Sequence, residues 1–180
     1  MAHIGNGVEY ALHCLLYLVG RQAEAAPSAR DLAEFQGVSP SFVAKLFTRL
    51  EKAGLVRAGE GVKGGFRLAR PPEQVTVLAV VDAIEGGKPL FDCREVRRNC
   101  VLYRDAPPSW ATRGVCGIHA VMREAEQEMR QALARHTLAD IAAGVSVKVA
   151  PQHLEAAETW FQARAAARGG RPGEGKGTAR

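Results

Sequence analysis

A series of amphipathic helical segments, interrupted once by a glycine-rich hairpin signal, predicts a mainly α fold with a small β-wing. The expected architecture is a winged helix-turn-helix domain plus a long dimerisation helix. Three observations carry this expectation. A Ser-capped helix, a Gly37-Val38 turn and a Ser39-Pro40 helix start follow one another without a gap. Two short apolar runs then flank a glycine-rich turn. Further on, residues 118–135 carry a long apolar stripe opposite a charged face.

In chain order, residues 7–20 read as a helix whose Val8, Leu12, Leu15, Leu16 and Val19 form one apolar stripe. Ser28 caps a second helix over 29–36, closed by Gly37. Ser39 caps the third, with Pro40 in its first turn; Phe42, Val43, Leu46, Phe47 and Leu50 keep helical spacing until Gly54. Leu55-Val56-Arg57 and Gly65-Phe66-Arg67-Leu68 read as strands of a hairpin, the wing. Pro71-Pro72 breaks the chain, and 75–84 reads as a helix closed by Gly86-Gly87. Residues 88–115 lack periodicity. In 118–135, Ile118, Val121, Met122, Ala125, Met129, Ala132 and Leu133 line one side, a face suited to pairing with its twin in a homodimer. Thr137 starts a short helix through Ile141, 152–168 forms another, and the Gly- and Arg-rich 169–180 is expected to be disordered.

Composition bounds the class. A chain of 180 residues with 47% hydrophobic and 24% charged content is ordinary for a soluble globular protein. No Lys or Arg precedes the apolar run 15–19, and no small-residue cleavage site follows it, so neither a signal peptide nor a membrane span is expected. A cytoplasmic location with reduced thiols follows. The net charge of +5 is unevenly spread. Residues 39–70 carry seven basic and two acidic side chains, and 162–180 carry five and one, while the remainder is slightly acidic. The first segment is a phosphate-sized electrostatic footprint on the elements that would meet DNA. The tail alone signals only general attraction to polyanions.

Recognition helices need small or polar side chains near their N-terminus to reach base edges, and basic ones to grip phosphate. Ser39, Ser41 and Lys45 meet the first need, and Arg49 extends the basic row. Arg57, Lys63 and Arg67 on the wing are placed to clasp the flanking backbone. A winged helix used only for protein contacts is the competing reading.

Three of the four cysteines fall within 24 residues in the pattern C-x6-C-x15-C-x2-H, from Cys93 through Cys100 and Cys116 to His119. Thiolates favour zinc, copper(I) and iron–sulfur clusters. The wide, irregular spacing suits a cluster better than a zinc knuckle; thiol redox switching remains open. Glu9 and His13, four residues apart, share one face of the first helix and offer two further ligands. Cys14 points away from that face and reads as a core thiol. A metalloenzyme built on the Cys/His/Glu set is the rival from another class, but no nucleophile motif or substrate phosphate loop accompanies it, so an enzyme is not expected.

Val38-Ser-Pro-Ser-Phe-Val-Ala-Lys-Leu, Lys52-Ala-Gly-Leu-Val, Lys63-Gly-Gly-Phe-Arg-Leu-Ala-Arg-Pro and Ile84-Glu-Gly resemble the IscR/NsrR-type (Rrf-two) family of winged-helix regulators, from about residue 7 to 141. The wing tip departs from the family: Glu60-Gly61 stands where Arg-Gly is common, which leaves Lys63 the better groove contact. Cys116-x2-His119 is similar to the family's final Cys-x2-His, but the gap before it is much longer than usual. The opening Gly-Val-Glu-Tyr-Ala-Leu-His-Cys resembles members that bind a [2Fe-2S] cluster through this Glu and His plus two loop cysteines. The resemblance therefore implies Glu9, His13, Cys100 and Cys116 as ligands, with Cys93 and His119 behind them. Glu and His from one subunit and cysteines from the other would tie the dimer together. It implies a dimeric regulator on a pseudo-palindromic double-stranded DNA operator, sensing redox, nitric oxide or iron–sulfur status. A cluster-free repressor controlled by cysteine oxidation or a partner protein is the alternative. The expected organisation is a DNA-binding domain over 1–87, a cluster loop over 88–117, a dimerisation helix and short following helix over 118–148, and a C-terminal extension over 149–180.

Overall fold

A computed structural model describes residues 4–20, 26–59, 64–103 and 106–169. The wing-tip residues Glu60 to Lys63, and the tail from 170 onward, lie outside the described residues, and with them the expectations placed there.

Eight α-helices and one two-stranded antiparallel sheet are described, so the fold is mainly α with a small β-wing. Helix α1 (Asn6–Leu16) packs into the core through Val8, Ala11, Cys14 and Leu15. It is shorter than its apolar stripe predicts. Leu18 and Val19 donate to the carbonyls three residues back, a tightened last turn, and Gly20 leaves it at φ +72°. Helix α2 (Ala29–Phe35) opens with a complete capping box, in which Ser28 Oγ accepts from the Asp31 N–H and the Asp31 carboxylate accepts from the Ser28 N–H. Gly37, at φ +66°, turns the chain into α3 (Pro40–Lys52), whose Val43, Leu46, Phe47 and Leu50 are buried. Arg70 closes the far end of α3 by donating to the Gly54 carbonyl at 3.1 and 3.0 Å, which satisfies an otherwise orphan acceptor.

Strands β1 (Val56–Ala58) and β2 (Phe66–Leu68) pair Val56 with Leu68, Arg57 with Arg67 and Ala58 with Phe66. The Gly-Gly-Phe sequence of the wing has a steric cause. A Cβ on Gly65 would lie 2.1 Å from the Ala26 carbonyl oxygen, so only glycine lets the wing press against the start of α2. Phe66 then donates its N–H to the Pro27 carbonyl at 2.8 Å and sets its ring 4.7 Å from that of Phe47.

Helix α4 (Val77–Glu85) starts two residues later than its hydrophobic run suggests. Val75 is held instead by the Leu138 N–H, in a bridge that pairs Thr76 with Thr137, so the capping threonine of α4 lies beside that of the helix that starts at Leu138. Residues 88–116 follow without long elements, as expected, holding two 3-10 turns and the four-residue α5 (Ser109–Thr112). Helix α6 (Gly117–Ala134) buries none of its 18 residues. Helix α7 (Leu138–Lys148) runs a further seven residues beyond Ile141, passing through Gly144 without a break. Helix α8 (Pro151–Gly169) returns to the head, where Trp160 and Phe161 join Phe35 and Tyr17 in a cluster with ring centroids 4.9 to 5.4 Å apart.

Candidate nucleic-acid interface and metal site

The helix-turn-helix presents α3 with its buried side inward and Ser41, Phe42, Ala44, Lys45, Thr48 and Arg49 outward. Ser39 and Ser41 hydroxyls lie 2.8 Å apart at the exposed start of the helix, a paired donor and acceptor of the size that reads a base edge. Lys45 follows one turn later, exposed. Arg49 behaves differently: its Nη1 donates to the Ile84 carbonyl at 2.7 Å, at the C-terminal end of α4. This arginine sits at the outer face but is engaged on the protein itself. On the wing, Arg57 and Arg67 face each other across the ladder, so two guanidinium groups share one face. Lys63, the wing residue expected to enter a groove, lies outside the described residues. Lys52, further along the same basic row, ends α3. One basic group was not singled out from the sequence: exposed Arg30, in the first turn of α2.

The thiol region assembles differently from its sequence spacing. Among the described residues, one set brings three ligand atoms together: those of Cys93, Glu95 and His119 lie within 4.8 Å of one another, and all three residues are half-buried. Cys93 Sγ donates to Glu95 Oε1 at 3.8 Å. Arg97 Nη2 donates to Glu95 Oε2 at 3.4 Å and to the Gly114 carbonyl at 3.1 Å, tying this turn to the stretch before α6. Glu95 is the one non-glycine residue with positive φ among those described, at φ 50° and ψ 41°, a left-handed conformation that presents its carboxylate beside Cys93. His119, in the first turn of α6, lies 6.0 Å from the Phe91 ring between centroids. Cys116 caps α6 three residues earlier and Cys100 follows the first 3-10 turn; both are half-buried and stay outside the set. Glu9 and His13 are exposed on the outer face of α1 and meet none of the loop cysteines within this chain. Cys14, one residue on, is wholly buried, and burial pushes its thiol up to about 12.

The donor set suits a transition metal. Thiolate, imidazole and carboxylate together match borderline ions such as iron or zinc. Bonds of about 2.0–2.3 Å place tetrahedral ligands roughly 3.3–3.8 Å apart, so the set needs a contraction of about 1 Å to close on one ion. Glu95 escaped the sequence reading because it sits in a run of alternating charge, Arg94-Glu95-Val96-Arg97, that gives no metal signature.

Beside this set lies an unusual concentration of exposed apolar groups. Ile118 and Val121 on α6 are 66% and 62% exposed, and Val101, Leu102, Trp110 and Val115 in the preceding loop are exposed as well.

Residues 4–144 match the family model described as Rrf2, iron-dependent transcriptional regulator. The chain belongs to the Rrf2 family. Across that family it is 30% identical over 162 residues to Rv1287 of Mycobacterium tuberculosis, covering 90% of this chain and 92% of that protein. It is 31% identical over 137 residues to the HTH-type transcriptional regulator NsrR of Geobacillus kaustophilus, covering 76% and 86%. The fold is that of T. potens IscR (TM-score 0.59, 23% identity, 85% of this chain and 96% of that one) and of the B. subtilis regulator CymR (TM-score 0.59, 20% identity, 79% and 98%). As an Rrf2 member this chain is a transcriptional regulator and not an enzyme. No helix among its described residues is long and apolar enough to cross a membrane.

Proposed function

We propose that this Rrf2 protein is a homodimeric regulator whose grip on a pseudo-palindromic operator depends on an iron–sulfur cluster, a [2Fe-2S] centre, held between the loop of one copy and α1 of the other. The observation that carries the reading is the Cys93, Glu95 and His119 set at the root of α6, beside the exposed Ile118 and Val121 of that helix. The family description, iron-dependent, supports iron as the metal. Bound there, a cluster supplies one-electron redox chemistry.

The residues of this chain divide the work. Cys93 and His119 offer ligands from the loop and α6, with Cys100 and Cys116 as further half-buried thiolates of the same loop. Glu9 and His13, exposed on α1, are free to meet the loop of a second copy. An exposed α6 would rest against its twin, placing both recognition helices on one side of the dimer for two half-sites. Ser39, Ser41 and Lys45 read and grip the operator, while Arg57, Arg67 and Lys63 serve the flanks.

Anaerobic purification followed by visible spectroscopy and iron and acid-labile sulfide assays tests this reading. A coloured protein with about two irons and two sulfides per site, whose operator affinity changes when the cluster is oxidised, reduced or removed, is expected. Colourless, iron-free protein that binds its operator according to thiol oxidation would instead establish the cluster-free regulator.

A further inference from the structure

The apolar row along α3 holds one member that the structure turns outward. Phe42 keeps helical spacing with Val43, Leu46, Phe47 and Leu50 in the sequence, yet those four are buried and Phe42 is 36% exposed. It stands outside the core cluster to which they belong. Among the described residues its ring meets one other aromatic ring, that of Tyr10 on α1, at 5.6 Å between centroids and 88° between planes. Tyr10 is itself half-buried and packed on the core. An edge-to-face pair is favourable beyond its buried area, so Tyr10 holds the Phe42 ring in one orientation while part of that ring stays open to solvent.

The neighbours of Phe42 are polar. It lies in the first turn of α3, next to Ser41, whose hydroxyl is 2.8 Å from that of Ser39. Lys45, three residues on and so adjacent on the helix surface, is exposed. The N-terminal residues of a recognition helix meet base edges in the major groove. A surface made only to grip phosphate has no use for a phenyl ring, which carries neither charge nor donor. The major groove does offer an apolar group to such a ring, the C5-methyl of thymine. Insertion of an apolar wedge between base steps belongs to minor-groove binders, and a recognition helix does not enter that groove.

We infer that Phe42 is a specificity-determining residue, its exposed ring packing on the C5-methyl of one thymine in each operator half-site. This deepens the DNA-binding reading above and rests on it, but it needs no metal in the loop. The roles at the start of α3 then differ. Lys45 fixes the helix on phosphate, and the serine hydroxyls hydrogen-bond to base edges with little preference among them. Phe42 adds a demand for thymine that hydroxyls do not supply.

The test removes the methyl group and leaves base pairing unchanged. The full-length wild type selects an operator from a pool of random duplexes, and each thymine of a half-site is replaced in turn by deoxyuridine. At one position the wild type is expected to lose about fourfold in affinity, the worth of burying one methyl group. The same exchange in both half-sites should cost about fifteenfold. Phe42→Ala and Phe42→Gln are expected to bind the selected operator more weakly and to bind the thymine and uridine duplexes alike at that position. Their response to exchanges elsewhere should match the wild type. Phe42→Gln keeps a long, helix-favouring side chain, so it carries the test if Phe42→Ala fails to fold in circular dichroism. A loss of packing alone would weaken every duplex equally and leave the response to uridine intact. Selected half-sites without thymine, or a wild type indifferent to every exchange, overturn the proposal. Variants that keep the wild-type discrimination also overturn it, and would move the methyl contact to a neighbour such as exposed Ala44. If the wild type selects no duplex at all, the DNA-binding reading itself fails.

Discussion

At the scale of single residues, exposure and availability part company. Lys45 and Arg49 read alike in the sequence, one turn apart on the same helix, yet Arg49 donates to the Ile84 carbonyl and Lys45 extends into solvent. Lys45→Ala is expected to leave the melting temperature unchanged and to lower the salt slope of operator binding by about 0.9 per protomer. Arg49→Ala should instead cost about 1 kcal/mol of stability in denaturant titration, because it orphans a partly buried carbonyl. Glu95 makes the complementary point for the metal set. Its role depends on a left-handed backbone conformation and on His119, 24 positions along the chain, and neither is written in local spacing. Glu95→Gln is expected to lower iron occupancy while leaving the fold's circular dichroism intact. Loss of iron in Cys100→Ala with full retention in Glu95→Gln would show that the loop rearranges on loading.

At the scale of elements, the sequence located helices well where caps and apolar spacing agreed, as for α2 and α3, and misjudged lengths where they conflicted. The helix expected to stop at Ile141 runs on as α7 to Lys148, and the stripe of α1 outran a turn tightened before Gly20. The start of α7 is fixed by its capping box, in which Thr137 donates both N–H and hydroxyl to Asp140. Those donors hold the Asp140 carboxyl below the usual carboxylate range. Its contribution is therefore complete above the unfolded pKa of about 3.9 and is lost as pH falls through the lower folded value. Asp140→Asn should flatten that acid-side decline in melting temperature. The wing depends on a steric allowance instead of a cap. Gly65→Ala forces Cβ into the Ala26 carbonyl, and is expected to lower stability by about 1–3 kcal/mol and weaken operator binding together.

For the molecule as a whole, the winged head was legible because its core follows simple periodicity, whereas the packing of α8 on α2 was not. That contact joins residues about 130 positions apart through aromatic rings, and nothing local in either segment announces the other. The proposed homodimer can be tested at the apolar surface of α6: if the chain dimerises through it, Ile118→Glu with Val121→Glu is expected to yield monomers in sedimentation experiments, with loss of tight operator binding. A last consequence follows from Cys14. Its thiol is shut inside the core, where burial holds it protonated, while the three loop cysteines lie near the surface. A thiol reagent can reach it only during excursions in which the packing of α1 against α3 and α4 comes apart. When such openings reclose faster than the reagent attacks, the rate at which Cys14 is modified measures how often the interior is breached. The chain thus carries its own clock for core opening, one that can be read in the intact regulator with or without DNA.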